Sequence, residues 1–184
     1  KQEAVLRAAI RQFTQHGYAQ AKIADIATEA GVAKGSMYQY FQDKKELFIY
    51  CAQWGLRAFM DKLDQRMNIR EMDVFEYFEE NVAKTELIDE ERELVVFLQT
   101  ISREPALVDP SMRAMFDVSE HYGRQLIRNS QAKGVVRADI DEDLLFLYFI
   151  AVSERFKLRW MERYLDFTVK MTEEQDRMMK VELK

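Results

Sequence analysis

Apolar side chains recur along the chain at intervals of three and four residues, the spacing that places them on one face of an α-helix. Leu6, Ala9, Ile10 and Phe13 begin this pattern, and Gly17 is predicted to end the first helix. No stretch shows the sustained alternation of apolar and polar residues that indicates a strand. The periodicity therefore predicts an all-α protein.

The same reading predicts eight further helices, about nine in all. Asp43 and Glu46 have the spacing of a capping box at the start of the fourth helix, and Asp109 with Pro110 predicts an N-cap followed by proline at the first helical position. The eight run from about 22 to 30, 34 to 41, 43 to 68, 72 to 87, 89 to 103, 110 to 132, 141 to 164 and 172 to 183.

The second and third predicted helices are short and are joined by a turn that contains Gly31. Two helices connected in this way form the helix-turn-helix pattern. On a helical wheel of the third helix, Met37 and Phe41 fall on one side, which we expect to face the core. The motif is predicted to orient the opposite side towards solvent.

The predicted outward side of this helix carries Gly35, Ser36 and Gln39, with Tyr38 and Tyr40 on its two shoulders. Gly and Ser allow a close backbone approach, and the Gln amide can read an adenine edge in a DNA major groove. Tyrosine hydroxyls on the shoulders can reach phosphates. The arrangement is typical of a helix that enters the major groove.

Lys34 at the start of this helix and Lys44 just beyond its end are predicted to contact the DNA backbone. Taken alone, a compact three-helix unit with solvated lysines explains the same residues. The string "GVAKGS" is not a P-loop, because Lys precedes Gly and a helix, rather than a strand, precedes both.

Charge is distributed unevenly along the 184 residues, whose net charge is −5. Residues 1–50 contain seven Lys and Arg against five Asp and Glu, whereas the remainder contains twenty against twenty-seven. The hydrophobic content of 48% and charged content of 32% are typical of a soluble globular protein. Since a phosphate responds to the local charge, the acidic total does not exclude nucleic acid as a partner.

Nothing in the sequence predicts a secreted or membrane protein. The longest apolar run, Leu144 to Val152, has nine residues, about half of the ~18 that a membrane span needs. The first residues resemble no signal peptide, and Cys51 is the single cysteine. We therefore expect a cytoplasmic protein. The sequence begins at Lys1 without an initiator Met and leaves open whether a segment precedes it.

The string "AGVAKGSMYQYFQDKKELF" at residues 30–48 resembles the helix-turn-helix signature of the TetR (tetracycline-repressor-like, TetR/AcrR) family, G-V-x-x-G-x-x-Y-x-Y/H-F-x-x-K-x-x-L. "AAIRQFTQHGY" and "IADIATEA" extend the resemblance over roughly residues 4 to 50. It implies a helix-turn-helix DNA-binding domain over residues 1–48. Residues 49–184 are then expected to form a helical effector-binding and dimerisation domain.

One position departs from the family pattern. Members often have Thr where this chain has Ala21, and that Thr caps the second helix and touches a phosphate. Because Ala21 can do neither, we expect Lys22 to take the phosphate. The complete set of predicted DNA-binding residues is Lys22, Lys34, Gly35, Ser36, Tyr38, Gln39, Tyr40 and Lys44.

Aromatic residues, methionines and a few polar residues between the fourth and eighth helices are candidates to line an effector cavity. Ordinary core packing is the commoner role for any one of them. The predicted effector residues are Trp54, Phe59, Phe75, Phe78, Phe97, Met112, Met115, Phe116, His121, Tyr122, Phe149 and Ser153.

"DLLFLYFIAV", residues 143–152, is apolar on all sides, which indicates a helix that is buried on every side at the centre of the core. The family resemblance implies that the last two helices pack against those of a second copy as a four-helix bundle. The predicted dimer residues are Leu144, Leu147, Tyr148, Ala151, Arg155, Arg159, Met178 and Met179.

The two histidines, His16 and His121, lack metal-ligand spacing, so neither an enzyme nor a metal or cofactor site is predicted. The sequence predicts a homodimeric regulator that binds a palindromic operator in double-stranded DNA. It is expected to be a repressor released by a small apolar or amphipathic effector. The alternative is a helical module that binds small molecules or proteins and no longer contacts DNA.

Overall fold

The structure, a computed structural model, describes residues 1–83 and 89–151. Within these ranges it contains eight α-helices, two 3-10 turns and no strand, which confirms the predicted all-α class. The ninth predicted helix lies outside the described residues. The α-helices are α1 (Gln2–Gln20), α2 (Ile23–Glu29), α3 (Lys34–Met37), α4 (Lys44–Met67), α5 (Val74–Ala83), α6 (Asp89–Thr100), α7 (Pro105–Ala132) and α8, described over residues 142–151; the 3-10 turns are Ile69–Glu71 and Ile101–Arg103.

The chain divides into two compact units, Lys1–Ala138 and Asp139–Lys184. At the centre of the first unit, Phe13 of α1, Phe48 of α4 and Phe97 of α6 are completely buried. The ring centroids of Phe13 and Phe48 lie 5.0 Å apart and those of Phe48 and Phe97 5.5 Å apart, both pairs in edge-to-face geometry. Such aromatic pairs add to the free energy gained by burial, so these rings fix α1, α4 and α6 together.

The regular geometry of the first helix is interrupted at Gly17, the residue where the sequence predicted its end. Gly17 has φ +71°, which interrupts the helical geometry, and the chain then continues as helix to Gln20. This φ is in the left-handed region that glycine adopts without steric cost. Gly17 therefore marks a kink within α1.

The third helix is shorter than the predicted 34 to 41. Its α-helical part ends at Met37, and Gln39 and Tyr40 donate to carbonyls only three residues back, those of Ser36 and Met37. Bonds of this kind tighten the last turn. The chain over residues 38–40 is thus a turn that continues the direction of α3.

The Asp43 cap predicted at the start of α4 is present, and the reciprocal bond of Glu46 is made to the backbone amide of Gln42 rather than to that of Asp43. The Asp43 carboxylate accepts a hydrogen bond from the Glu46 amide at 2.8 Å, and the Glu46 carboxylate accepts one from the Gln42 amide. From there α4 runs without interruption to Met67, across the domain boundary predicted after residue 48. The core is also continuous across that residue. The division of function at residue 48 stays a prediction.

The start of α7 differs from the predicted N-cap at Asp109. The helix begins at Pro105, and Pro110 lies inside it. Proline at the first position loses no hydrogen bond, whereas Pro110 removes one intrahelical donor. The additional turn buries Leu107 to 3% exposure, and we attribute the earlier start to this apolar contact. The predicted end is confirmed at Gly134, with φ +72°.

The second unit is described over residues 139–151. The Asp141 carboxylate accepts hydrogen bonds from the amides of Asp143 and Leu144 at 3.0 and 3.1 Å, which caps α8 close to the predicted start. None of the described helices is long and apolar enough to cross a membrane.

Candidate nucleic-acid interface

The two faces of α3 and the turn after it have opposite surroundings. Met37 and Phe41 are 2% and 5% exposed and belong to the core cluster of the first unit. Gly35 and Gln39 are exposed, and Ser36 is half-buried. The predicted inward and outward sides are therefore both observed, and no side chain of the described chain covers Gly35.

The tyrosines on the shoulders also point outward. Tyr38 is 53% and Tyr40 48% exposed, unusually high values for large aromatic side chains. Together with Lys34, Gly35 and Gln39 they form an exposed surface along one short stretch of chain. We call residues 34–40, apart from the buried Met37, the α3 surface.

The turn between α2 and α3 sets the direction of the α3 surface. Gly31 has φ +68°, and its amide donates to the Thr28 carbonyl at 3.1 Å. The Val32 amide donates to the Ala27 carbonyl at 3.0 Å, a bond of the type that closes a helix around a left-handed residue. Buried Ile26 then joins α2 to the core. The chain between α2 and α3 therefore has the turn geometry of a helix-turn-helix.

Gly35 has no conformational or packing reason to be glycine. Its φ is not positive, and a Cβ built on it meets no atom within 4 Å. Glycine inside a helix costs about 1 kcal/mol relative to alanine. No contact that a Cβ would block compensates for this cost within the first unit. The space in front of Gly35 is therefore available to an external partner.

The three predicted phosphate-contacting lysines differ in their surroundings. Lys22, which is the N-cap residue of α2, and Lys34 are exposed. Lys44 is half-buried, and its ammonium donates to the carbonyls of Ala19 and Ala21, each at 3.1 Å. It also lies 4.7 Å from the centroid of the Tyr18 ring. Sequence reasoning missed these internal contacts, because they join residues 23 to 26 positions apart.

A carboxylate on α2 connects the helix-turn-helix to α1. Glu29 accepts hydrogen bonds from Arg11 and from Gln12, the latter at 2.8 Å. Partial burial raises the pKa of Glu29, but the hydrogen bonds from Gln12 and Arg11 and the Arg11 charge outweigh it and lower the pKa below its ordinary value. Glu29 therefore stays ionised at neutral pH and links α2 to α1.

The predicted effector residues are spread over different surroundings. Phe97 is part of the central core, Trp54 is half-buried beside the Arg7 guanidinium, and Tyr122 is buried. Phe59, Phe78 and Phe149 are half-buried and Met115 is buried, whereas Phe75, Met112, Phe116 and His121 are exposed; Ser153 lies outside the described residues. The set thus includes both enclosed and solvent-exposed side chains, and its role in effector binding stays a prediction.

A groove of about 520 Å³ lies elsewhere in the first unit and contains none of the predicted effector residues. One Lys and four Glu give its lining a negative charge. The lining residues are Met67, Asn68, Glu71, Met72, Glu76, Glu79, Glu80 and Lys133. Among the described residues, no group of three or more His, Cys, Asp or Glu side chains is placed to hold a metal ion.

Tyr122 belongs to a polar cluster between α4 and α7 that the sequence did not predict. Its hydroxyl donates to the Asp61 carboxylate, and Arg70 lies 3.9 Å from that carboxylate. Burial and then the hydrogen bond to Asp61 raise the pKa of Tyr122 to about 12. The phenol is therefore neutral near pH 7 and acts as a donor that holds α7 to α4.

The exposed face of α8 contains four of the predicted dimer residues. Leu144, Leu147 and Tyr148 are 60%, 62% and 72% exposed, and Ala151 is exposed as well, whereas Phe146 is 2% exposed. The four exposed residues are spaced i, i+3, i+4 and i+7, so they form one apolar stripe. Arg155, Arg159, Met178 and Met179 lie outside the described residues.

The fold and the α3 surface define a helix-turn-helix protein, and comparison with known families agrees. A family model described as bacterial regulatory proteins, tetR family, matches residues 5–51. The transcriptional repressor AcnR of Corynebacterium efficiens is 26% identical over 157 residues, which cover 83% of this chain and 77% of that protein. Residues 5–51 are therefore similar to the matched domain of the tetR family of bacterial regulatory proteins, and the prediction of a regulator rather than an enzyme agrees with these relatives.

Solved structures extend the likeness in fold beyond the matched domain. A TetR-family transcriptional regulator from Rhodococcus sp. superimposes with a TM-score of 0.63 at 21% identity, covering 86% of this chain and 85% of that one. FadR from Bacillus subtilis, in complex with stearoyl-CoA, gives a TM-score of 0.57 at 16% identity, with 89% and 88% covered. By contrast, the chain spans only 22% and 31% of the length of two curated relatives that it matches at 32% and 30% identity.

Proposed function

We propose that this chain is a transcriptional repressor whose α3 surface reads a palindromic operator from the DNA major groove. The observation that carries the proposal is the exposure of Gly35 and Gln39, with Ser36 half-buried beside them, opposite the buried Met37 and Phe41. A recognition helix needs base-reading side chains outward and a rigid attachment inward. The open space at Gly35 allows the backbone to approach the base edges closely.

Contacts to the DNA backbone would come from residues at the edges of the α3 surface. We assign Lys22 and Lys34 to phosphates as cations, and Tyr38 and Tyr40 as hydrogen-bond donors. Each neutralised phosphate releases condensed counterions, so the affinity depends on salt. The exposure of these four side chains supports the assignment.

We further propose that a small apolar or amphipathic effector binds the helices beyond α3 and releases the protein from DNA. Support comes from the exposed apolar side chains Phe75, Met112 and Phe116 on α5 and α7. It comes also from the stearoyl-CoA complex of FadR, a protein of the same fold. Release requires only that the effector binds more tightly to the conformation that does not fit DNA.

The apolar stripe on α8 supports a homodimer, which we propose as the DNA-binding form in the bacterial cytoplasm. A second copy would cover Leu144, Leu147 and Tyr148 and remove their apolar surface from water. Twofold symmetry then places two α3 surfaces on half-sites about 34 Å apart, or a multiple of that distance.

The Gly35→Ala substitution tests the proposed DNA contact without disturbing the fold. We expect the free energy of unfolding in urea to stay unchanged or rise by up to about 1 kcal/mol. Affinity for an operator selected from random duplexes, measured by fluorescence anisotropy, is expected to fall about tenfold or more, because the methyl group occupies the space that the DNA needs.

Gly55→Ala is the matched control for this change. Gly55 lies in α4, and its added Cβ meets Phe97 at 3.6 Å, an ordinary van der Waals contact. This variant should keep the operator affinity of the wild type. Equal affinities for Gly35→Ala and wild type would contradict the proposed approach of DNA to Gly35.

Substitutions of Gln39 and Lys34 are expected to distinguish base reading from phosphate contact. Gln39→Ala should weaken operator binding by about 1–3 kcal/mol and change binding to random duplex little. Lys34→Ala should weaken both and reduce the slope of log affinity against log salt by about one. Anisotropy titrations at several salt concentrations measure both effects, and unchanged operator affinity in both variants would refute the docking.

The effector proposal predicts weaker operator binding when long-chain acyl-CoA is added. We expect the affinity to drop by 5- to 150-fold at saturation, which corresponds to a coupling of about 1–3 kcal/mol. Free CoA, which lacks the apolar chain, serves as control. If neither stearoyl-CoA nor the compounds extracted from the purified protein change the affinity, the effector class is wrong.

The dimer proposal predicts that Leu147→Asp dissociates the protein. A carboxylate in an apolar stripe that the dimer buries is costly, so analytical ultracentrifugation should show the sedimentation of a monomer. Val135→Asp is the control, because Val135 is 47% exposed and lies outside the stripe. A monomeric wild type, or a Leu147→Asp variant that stays dimeric, would refute this interface.

A further inference from the structure

Ser111 lies on the inner face of α7 and is 0% exposed. Leu107 and Met115, one helical turn before and after it, belong to the core cluster of the first unit. The Ser111 hydroxyl has no hydrogen-bond partner among the described residues. Because a hydroxyl in the interior gives up its hydrogen bonds to water, an unpaired one requires a physical explanation.

Other hydroxyls of this chain show how such a group is ordinarily satisfied. A Ser or Thr side chain in a helix can donate to a backbone carbonyl three or four residues earlier. This bond is made by the hydroxyls of Thr28, Thr100, Ser102 and Ser130. Ser111 does not make it, so its hydroxyl keeps its capacity to donate and to accept.

Ser130 is a direct internal comparison, because it is a serine of the same helix and is also 0% exposed. Its hydroxyl donates to the Leu126 carbonyl at 2.6 Å and accepts from the Val74 amide at 2.9 Å. The Ser130 hydroxyl therefore joins α5 to α7, whereas the Ser111 hydroxyl makes no such bond. The Ser111 hydroxyl is thus available to a molecule that binds from outside.

The residues around Ser111 limit the chemistry of that molecule. The neighbouring buried residues of α7 are Leu107, Met115 and Val118, and none of them carries a charge. A charged group placed beside them would lose its hydration without gaining an ion partner from this face of α7. A neutral oxygen, such as that of a carbonyl, can instead accept a hydrogen bond from the hydroxyl.

An apolar surface leads from solvent towards this position. Met112 and Phe116 each follow a buried residue of α7 by one position, and they are 41% and 43% exposed. Met115 is 8% exposed, and the flexible side chain of a methionine repacks readily around a ligand. An apolar chain can therefore lie along α7 while the polar group at its end reaches Ser111.

We propose that Ser111 is a specificity-determining residue of the effector site, and that its hydroxyl donates to a neutral carbonyl at the end of the effector's apolar chain. The inference rests on the proposed function, because it names the group by which the protein recognises its effector. Folding has already removed the Ser111 hydroxyl from water, so the bond forms without further desolvation of the donor. The protein thereby prefers an effector with this carbonyl over one with the same chain and no carbonyl.

The experiment measures the binding of two probes to the purified protein by isothermal titration calorimetry, in the absence of DNA. Stearoyl-CoA carries a thioester carbonyl at the end of its apolar chain, and octadecyl-CoA is the thioether with a methylene group in place of that carbonyl. The proteins compared are the wild type, Ser111→Ala and the matched control Ser130→Ala. Urea denaturation measures the stability of each protein without ligand.

Ser111→Ala should keep or raise the wild-type urea midpoint, whereas Ser130→Ala should lower it, because only Ser130 has internal hydrogen bonds to lose. Stearoyl-CoA should bind Ser111→Ala about tenfold more weakly than the wild type. Octadecyl-CoA should bind these two proteins equally, which would assign the loss to the pair of hydroxyl and carbonyl. Ser130→Ala should keep the wild-type affinity for stearoyl-CoA under conditions where it is folded.

Three results would overturn the role of Ser111. Equal affinities of stearoyl-CoA for the wild type and Ser111→Ala would exclude the contact. An equal loss for both probes would show that the substitution acts on packing instead of on the carbonyl. A urea midpoint lowered as far as in Ser130→Ala would show that the Ser111 hydroxyl serves the fold.

Failure of the proposed function has a different signature. If the wild type binds neither probe, the proposed effector class is refuted, and the role of Ser111 with it. A wild type that binds stearoyl-CoA but no selected duplex would refute the DNA proposal alone, because the calorimetric comparison of the variants does not involve DNA.

Discussion

The attachment of α3 to the core is the constraint on which the rest of the molecule depends. A helix of four residues has too few hydrogen bonds to persist alone in water. Its conformation is maintained because Met37 and Phe41 are buried in the same cluster as Phe13 and Phe48. The aromatic core is therefore also the base that orients Gln39, and under the proposed docking a loss of packing there would weaken DNA reading.

Much of this arrangement could be predicted from the sequence, because it follows from local periodicity and capping. The burial of Met37, the exposure of Gln39 and the Asp43 cap each depend on residues within one turn. The start of α7 could not, since Pro105 and Pro110 both fit a first helical position and only the burial of Leu107 distinguishes them.

Side chains with distant partners were the hardest to predict. The Lys44 ammonium donates to the carbonyls of Ala19 and Ala21, and no local pattern indicates these hydrogen bonds. The same limit applies to Tyr122 and Asp61, which are 61 residues apart and share a hydrogen bond. Apolar residue types identify candidates for an effector cavity, but the packing of α4 to α7 decides which of them are enclosed.

The unbroken course of α4 has a mechanical consequence. With 24 residues it is a rod about 36 Å long, and its first turn directly follows the turn after α3. If such a rod tilts by about 5° around its far end, its near end moves by roughly 3 Å, the length of a hydrogen bond. A displacement too small to disturb the packing near Met67 would thus be large enough, in the proposed docking, to take Gln39 out of register with a base pair.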